Sequence, residues 1–454
     1  MPHACVIGLG RSGIAAARVL KRNGWTVTVS DRAQGEPLAQ LGQPLIDEGI
    51  TLKLGHTPNP EQEGWPDRVV VSPGVPWDIA YLQEARQQGV EVMGEMELAW
   101  QHLQHIPWIA VTGTNGKTTT TSLIHAIFKN AGLNAPACGN IGFAACELVL
   151  QEQDYDWIVA EISSYQIEAS PTLAPKIGLW TTFTPDHLSR HKTLENYYTI
   201  KASLLERSEA QILNADDRHL SQAAVTQFPE AYWTSVQGSS ALPGAPKNGV
   251  FLQDNWISAF GELIAPINLF KMPGQHNQQN LLLAIAAARL AEVDKSAITN
   301  TLLSFTGVNH RLEPICTING IQFINDSKAT NYDAAEVGLN SMTEPTLLIA
   351  GGEAKAGDDS AWIEAIKTHA QAVLLIGEAA PIFAERLTQA GYTHAEIIET
   401  MDNAVKRGYS IAQATNARAI LLSPACASFD QYQSFEARGD DFRQCCLALQ
   451  QEES

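Results

Sequence analysis

The stretch Trp108 to Thr121, W-I-A-V-T-G-T-N-G-K-T-T-T-T, constrains the fold of this chain more than any other. Ile109 to Val111 is a short apolar run of the kind that forms a buried parallel strand. Gly113, Thr114, Asn115, Gly116 and Lys117 then form a tight loop, and a helix pattern follows from Thr118 and Thr119 through Ile127. Strand, glycine loop, Lys-Thr and helix together form a phosphate cradle. Loop N–H groups and the helix N-terminus face the anion, Lys117 adds charge, and the Thr118 hydroxyl can hold Mg²⁺. The match to G-x-x-x-x-G-K-[ST] lacks its first glycine, because position 111 is Val. The alternative is an ordinary strand-to-helix turn with a surface lysine.

At 454 residues the chain is long enough for about three domains of ~150 residues each. Hydrophobic residues make up 45% and charged residues 17%, which fits a soluble globular protein with full cores. A formal net charge of −19 argues against a nucleic-acid partner. The seven cysteines are odd in number and form no C-x-x-C, which points to reduced thiols of a cytosol rather than disulfides or a zinc site. Neither a basic-led apolar leader nor an apolar run of membrane length is evident. The expectation is a cytoplasmic chain without membrane insertion.

Before the cradle, Ala4 to Leu9 reads as a first strand. Gly8, Gly10 and Gly13 form G-x-G-x-x-G, a helix follows, and a second strand ends at Asp31. This is a Rossmann-type fingerprint with an acid placed for a ribose, or else a structural turn. Arg68 to Ser72 is a further strand that runs into Ser72-Pro73-Gly74, a ligand-facing loop or a simple turn. After the cradle come the loop Cys138 to Gly142 with Asn140, and a strand ending at Glu161, which is either a Mg²⁺ ligand or a helix cap. A later strand enters Thr184-Pro185-Asp186-His187, with His191 close behind; each histidine is a metal ligand or a structural hydrogen-bonder. Lys201 sits in a helix pattern from Tyr197 to Glu206, Ala210 to Leu213 is a strand, and residues 238–250 read as a loop or hairpin approach. Gly274 to Asn280 opens an Ala/Leu-rich helix. Strands at Ile321–Ile324, Thr346–Ala350, Ala372–Ile376 and Ala419–Leu422 alternate with helices, which predicts a third parallel α/β domain. The expected class is α/β in three domains. These are a Rossmann-like domain at 1–105, a central P-loop ATPase-type domain with a mostly parallel sheet at 106–307, and a Rossmann-like domain at 308–454.

T-G-T-N-G-K-T, E-I-S-S-Y-Q, T-P-D-H, G-Q-H-N-x-x-N, H-R-L-E, N-D-S-K-A-T-N and S-P-A-C-A-S-F-D-Q occur in this order. Together they resemble the Mur ligases of peptidoglycan synthesis, over nearly the whole chain. The resemblance implies that ATP phosphorylates the carboxylate of UDP-N-acetylmuramoyl-L-alanine and that the amine of D-glutamate attacks the acyl phosphate. It places Mg²⁺ contacts on Thr118, Glu161 and His187, and a carbamate-modified lysine at Lys201. Lys117, Glu161, His187 and Lys201 become the catalytic candidates. Adenine contacts fall on Asn277 and Asn280, and ribose or phosphate contacts on Arg311, Asp326 and Lys328. The UDP-sugar side falls on Ser12, Asp31, Ser72, Gly74 and Asn140. The D-glutamate side falls on Thr330, Lys355, Ser428 and Phe435. The resemblance also implies small-molecule partners only and a monomer. A nicotinamide oxidoreductase, read from the N-terminus alone, would leave the loop at Lys117 without a task.

Overall fold

The computed structural model describes residues 1–353 and 357–453, apart from the side chains of Ser189 and Pro246. Its apolar runs form three sheets. The first contains β1 (His3–Ile7), β2 (Thr26–Asp31), β3 (Thr51–Leu54), β4 (Arg68–Val71) and β5 (Glu91–Gly94), all parallel, in the order β3-β2-β1-β4-β5. Side chains alternate between its faces. Ala4, Val6, Val27, Val29 and Val70 pack on Ala16, Val19 and Leu20 of the helix Arg11–Arg22. Cys5, Ile7, Val69 and Val71 pack with Tyr81 and Leu82 on the other face. A parallel sheet covered on both faces reads as a continuous apolar run, which is how these strands read in the sequence.

The second sheet contains β6 (Trp108–Thr112), β7 (Ala137–Gly139), β8 (Ile158–Glu161), β9 (Ile177–Trp180), β10 (Ala210–Asn214), β11 (Tyr232–Ser235), β12 (Gly249–Gln253), β13 (Trp256–Ala259) and β14 (Glu262–Pro266). Its order is β14-β13-β12-β11-β10-β9-β6-β8-β7. Pairing is parallel except for β12, β13 and β14, which form an antiparallel meander at one edge. The loop or hairpin approach expected at 238–250 leads into this meander, whose first strand begins at Gly249. The turn Asp254-Asn255 takes φ values of 49° and 63°, both positive, as a tight hairpin turn requires.

The third sheet contains β15 (Glu313–Ile318), β16 (Ile321–Asn325), β17 (Thr346–Gly351), β18 (Ala370–Ile376), β19 (Ala395–Ile397) and β20 (Ala419–Leu422), in the order β15-β16-β20-β17-β18-β19. Its four strands read from sequence are present. β15, antiparallel to β16 across Asn319-Gly320, and the edge strand β19 complete it.

The fold is thus α/β, with mostly parallel sheets. Its contacts divide the chain into two compact units, Met1–Lys271 with Gln278–Phe305, and Met272–Asn277 with Thr306 onward. The first two sheets lie in one unit, and hydrogen bonds join their segments. Cys146 N–H donates to Glu95 Oε1 (2.5 Å) and Gly94 N–H donates to the Ala169 carbonyl (2.7 Å).

Candidate active site

β6 delivers the glycine loop to the carboxyl end of the second sheet, between β8 and β9, with Val111 opposite Glu161 and Thr112 opposite Trp180. The chain after β9 holds the loop in shape. Thr114 N–H donates to the Thr182 carbonyl (2.8 Å), Asn115 N–H to Thr182 Oγ1 (2.9 Å), and Thr114 Oγ1 to the Thr184 carbonyl (3.0 Å). Gly116 takes φ 83°, and the helix Lys117–Asn130 starts directly behind it without a side-chain cap. A Cβ at Gly116 would strain the backbone and press on the amide of Asn280. The uncapped first turn leaves its N–H groups to an anion.

Two lysines converge on this loop. Lys117 Nζ donates to the carbonyls of Gly113 (2.9 Å) and Thr114 (2.8 Å). Lys201 Nζ donates to the same Gly113 carbonyl (2.9 Å) and to Thr112 Oγ1 (3.3 Å), and lies 4.7 Å from the ring centre of Tyr197. Lys201 is only 1% exposed, so it is not a solvated surface lysine. Burial, and then the charge of Lys117, holds its pKa well below the ordinary lysine value, with Asp186 acting in the other direction. The Tyr197 hydroxyl lies 3.3 Å from Thr114 Oγ1. Sequence reading gave Tyr197 no role, although its spacing of four from Lys201 puts both on one helix face.

Glu161 is buried at the end of β8. Its Oε1 accepts from Asn140 Nδ2 (2.7 Å), while Oε2 is buried without a hydrogen-bond partner. The helix Ser164–Glu168 is capped by Ser163, with Gln166 completing a capping box, so Glu161 is not the cap. An orphaned carboxylate oxygen fits a hard divalent cation. Thr118 is buried in the first turn of the cradle helix. No cluster of three or more His, Cys, Asp and Glu side chains is present among the described residues.

His187 takes a left-handed φ of 55° at the start of the helix Leu188–His191, its Nε2 3.4 Å from Asp186 Oδ2. His191 is buried, with Nε2 2.9 Å from Ser164 Oγ, and burial lowers its pKa to about 4. Burial thus favours its neutral form, and its Nδ1 is buried without a hydrogen-bond partner.

In the first sheet, Asp31 uses its carboxylate to hold the glycine loop. Its Oδ2 accepts from Leu9 N–H (2.7 Å) and its Oδ1 from Ala33 N–H (2.8 Å). Ser72 Oγ donates to the Gly8 carbonyl (3.1 Å), and a Cβ at Gly13 would collide with that same carbonyl. Ser72 also lines a cavity with Trp77, Glu95, Tyr165 and Arg190. Ser12 is half-buried in the first turn of its helix, and Gly74 lies in the turn after β4. Asn280 Oδ1 accepts from Thr120 Oγ1 (3.3 Å).

In the second unit, Asp326 is buried after β16 and accepts from Leu312 N–H (3.2 Å) and Ser423 Oγ (2.9 Å). Burial pushes its pKa up to about 7, against the pull of Arg311. Arg311 Nε and Asn277 Oδ1 are buried without a hydrogen-bond partner. Lys328 Nζ stands 5.0 Å from the ring centre of Phe435. Ser428 is buried and Thr330 half-buried. Lys355 lies outside the described residues.

A glycine loop closing on an uncapped helix N-terminus beside a lysine is the arrangement that phosphate-binding loops use, and it stands here on an α/β fold with mostly parallel sheets. Relatives narrow the class. Residues 2–94 match the MurD-like N-terminal domain of Mur ligases, 111–288 the Mur ligase middle domain, and 310–426 the Mur ligase glutamate ligase domain. The chain belongs to the Mur ligase family. It is 72% identical over 451 residues to the UDP-N-acetylmuramoylalanine--D-glutamate ligase of Synechocystis sp., covering 99% of this chain and 100% of that one. The ligase of the same name from Gloeothece citriformis is 63% identical over 449 residues, covering 99% and 100%. In fold the chain resembles the UDP-N-acetylmuramate-alanine ligase of Thermotoga maritima, with a TM-score of 0.61 at 18% identity and full coverage of both chains. A pseudomurein peptide ligase of Methanothermus fervidus gives 0.60 at 19% identity, covering 99% of this chain and 100% of that one. No helix among the described residues is long and apolar enough to cross a membrane.

Proposed function

We propose that the chain is an ATP-dependent ligase that adds D-glutamate to UDP-N-acetylmuramoyl-L-alanine in cytoplasmic peptidoglycan precursor synthesis. The observation that carries this reading is the convergence of Lys117 and Lys201 on the Gly113 carbonyl, in a chain so close to curated D-glutamate ligases. ATP gives its γ-phosphoryl group to the alanyl carboxylate, the amine of D-glutamate attacks the acyl phosphate, and the tetrahedral adduct collapses to amide and phosphate. The loop N–H groups and Lys117 stabilise the charge on the transferred phosphoryl group. Mg²⁺, when bound, neutralises phosphate charge, and Thr118, Glu161, His187 and Lys201 hold it in this reading. Lys201 does so as a carbamate, since a bare ammonium would repel the metal.

Gly113 to Thr119 cradle the ATP phosphates. Asn277 and Asn280 are assigned to adenine, and Arg311, Asp326 and Lys328 to ribose or phosphate. Ser12, Asp31, Ser72, Gly74 and Asn140 take the UDP-sugar, and Thr330, Lys355, Ser428 and Phe435 take D-glutamate. Domain limits at 1–105, 106–307 and 308–454 and action as a monomer belong to the same reading. The test is phosphate release from ATP by the purified chain, with D-glutamate, L-glutamate and other amino acids in parallel. Release should require both the UDP-sugar substrate and D-glutamate. Release that ignores the amino acid would refute the reading.

A further inference from the structure

Arg438 lies in the helix Phe435–Glu452 and is 1% exposed, among the largest fully buried side chains of the protein. Burying a guanidinium is costly unless its N–H groups are satisfied. Here its hydrogen bonds go to one hydroxyl and to backbone carbonyls. Nε donates to Ser327 Oγ (3.0 Å), and Nη2 donates to the carbonyls of Ser327 (2.9 Å) and Cys426 (3.0 Å). Nη1 donates to the carbonyls of Ala427 (3.1 Å) and Gly351 (3.4 Å). These acceptors lie at the carboxyl ends of three strands: Ser327 follows β16, Gly351 ends β17, and Cys426 and Ala427 follow β20. The segments after β16 and β20 are those that lead to Thr330, and to Ser428 and Phe435.

The loops are also laced to one another at the guanidinium. Ser327 Oγ donates to the Phe435 carbonyl (2.8 Å), and Glu353 N–H donates to the Ala427 carbonyl (2.9 Å). Gly352 takes φ 131°, and a Cβ there would come within 2.9 Å of Arg438 Nη1. The glycine permits the close approach of loop and cation. A planar fork with fixed donor directions can hold three backbone segments in one register, whereas a single ammonium cannot direct donors to all of them.

We propose that Arg438 is the positioning residue of the amino-acid pocket, holding the carboxyl ends of β16, β17 and β20 in one register so that Thr330, Ser428 and Phe435 meet the dicarboxylate substrate in one geometry. It touches no substrate itself. The inference rests on the D-glutamate reading above, and deepens it by naming what preorganises that site.

The test is steady-state kinetics of the full chain carrying Arg438→Lys or Arg438→Gln, with thermal unfolding recorded in parallel. Arg438→Lys should raise the KM for D-glutamate about tenfold or more. The KM for ATP and for the UDP-sugar substrate should stay within about twofold. Arg438→Gln should show the same split, more strongly. A folded lysine variant with an unchanged D-glutamate KM overturns the proposal, as does a parallel rise in all three KM values. Failure of both variants to fold overturns it too, because the arginine would then be a general support of the domain. The parent reading is judged on the wild-type chain alone: it fails if that chain does not consume D-glutamate, whatever the variants do.

Discussion

Lys201 shows how strongly environment overrides residue type. In an acidic chain a helical lysine is ordinarily solvated, yet this one is sealed against the Gly113 carbonyl and the Tyr197 ring. Burial and the neighbouring Lys117 favour the neutral amine. A neutral amine is the form that reacts with CO₂ to give a carbamate, an anionic oxygen donor suited to Mg²⁺. With ¹³C-bicarbonate, the wild-type chain should show a carbamate carbonyl resonance that Lys201→Arg lacks. That variant should also lose most ligase activity, because guanidinium keeps the charge but forms no such donor. A wild-type spectrum without the resonance would rule the carbamate out.

At the scale of the element, the helix Glu95–Leu103 is informative because it starts with a buried acid. Glu95 Oε1 accepts from Cys146 N–H, but Oε2 is buried without a partner. Burial raises its pKa from 4.5 to about 7. The folded chain therefore keeps a proton that the unfolded chain releases, and stability should fall as pH rises from about 4.5 to about 7, then level off. At about 1.4 kcal/mol per unit the effect is at most ~3.5 kcal/mol. Glu95→Gln cannot ionise and keeps an oxygen for Cys146. Urea unfolding at pH 5 and pH 8 should show the wild type losing about 2–3 kcal/mol more than the variant across that range. Equal losses would mean that Glu95 stays ionised in the folded chain. The meander β12 to β14 teaches a different lesson. Its Asp254-Asn255 turn is a hairpin signal, but its strands are short and only partly alternating, so hydrophobic period alone did not separate them from loop.

On the scale of the whole molecule, the proposed labour is divided. Phosphate chemistry falls to the first unit, with Lys117, Glu161 and Lys201, and amino-acid selection to the third sheet, with Thr330, Ser428 and Phe435. Removing one hydrogen bond to a charged substrate costs about 1.5–3 kcal/mol. Ser428→Ala should therefore raise the D-glutamate KM roughly tenfold or more while leaving the ATP KM unchanged. The opposite pattern would move Ser428 out of the amino-acid site. The α/β class and the loop from Gly113 to Lys117 were legible in the sequence, because apolar runs, glycine spacing and helix starts are properties of neighbouring residues. Motif order was legible for the same reason. Which alternatives held was decided by tertiary structure. Ser163, not Glu161, caps the following helix, and this frees a carboxylate oxygen. The hydrogen bond from Lys201 to Gly113 spans 88 residues, and that from Arg438 to Ser327 spans 111. Burial of a charge depends on surfaces that distant segments bring together, and no local pattern encodes that desolvation.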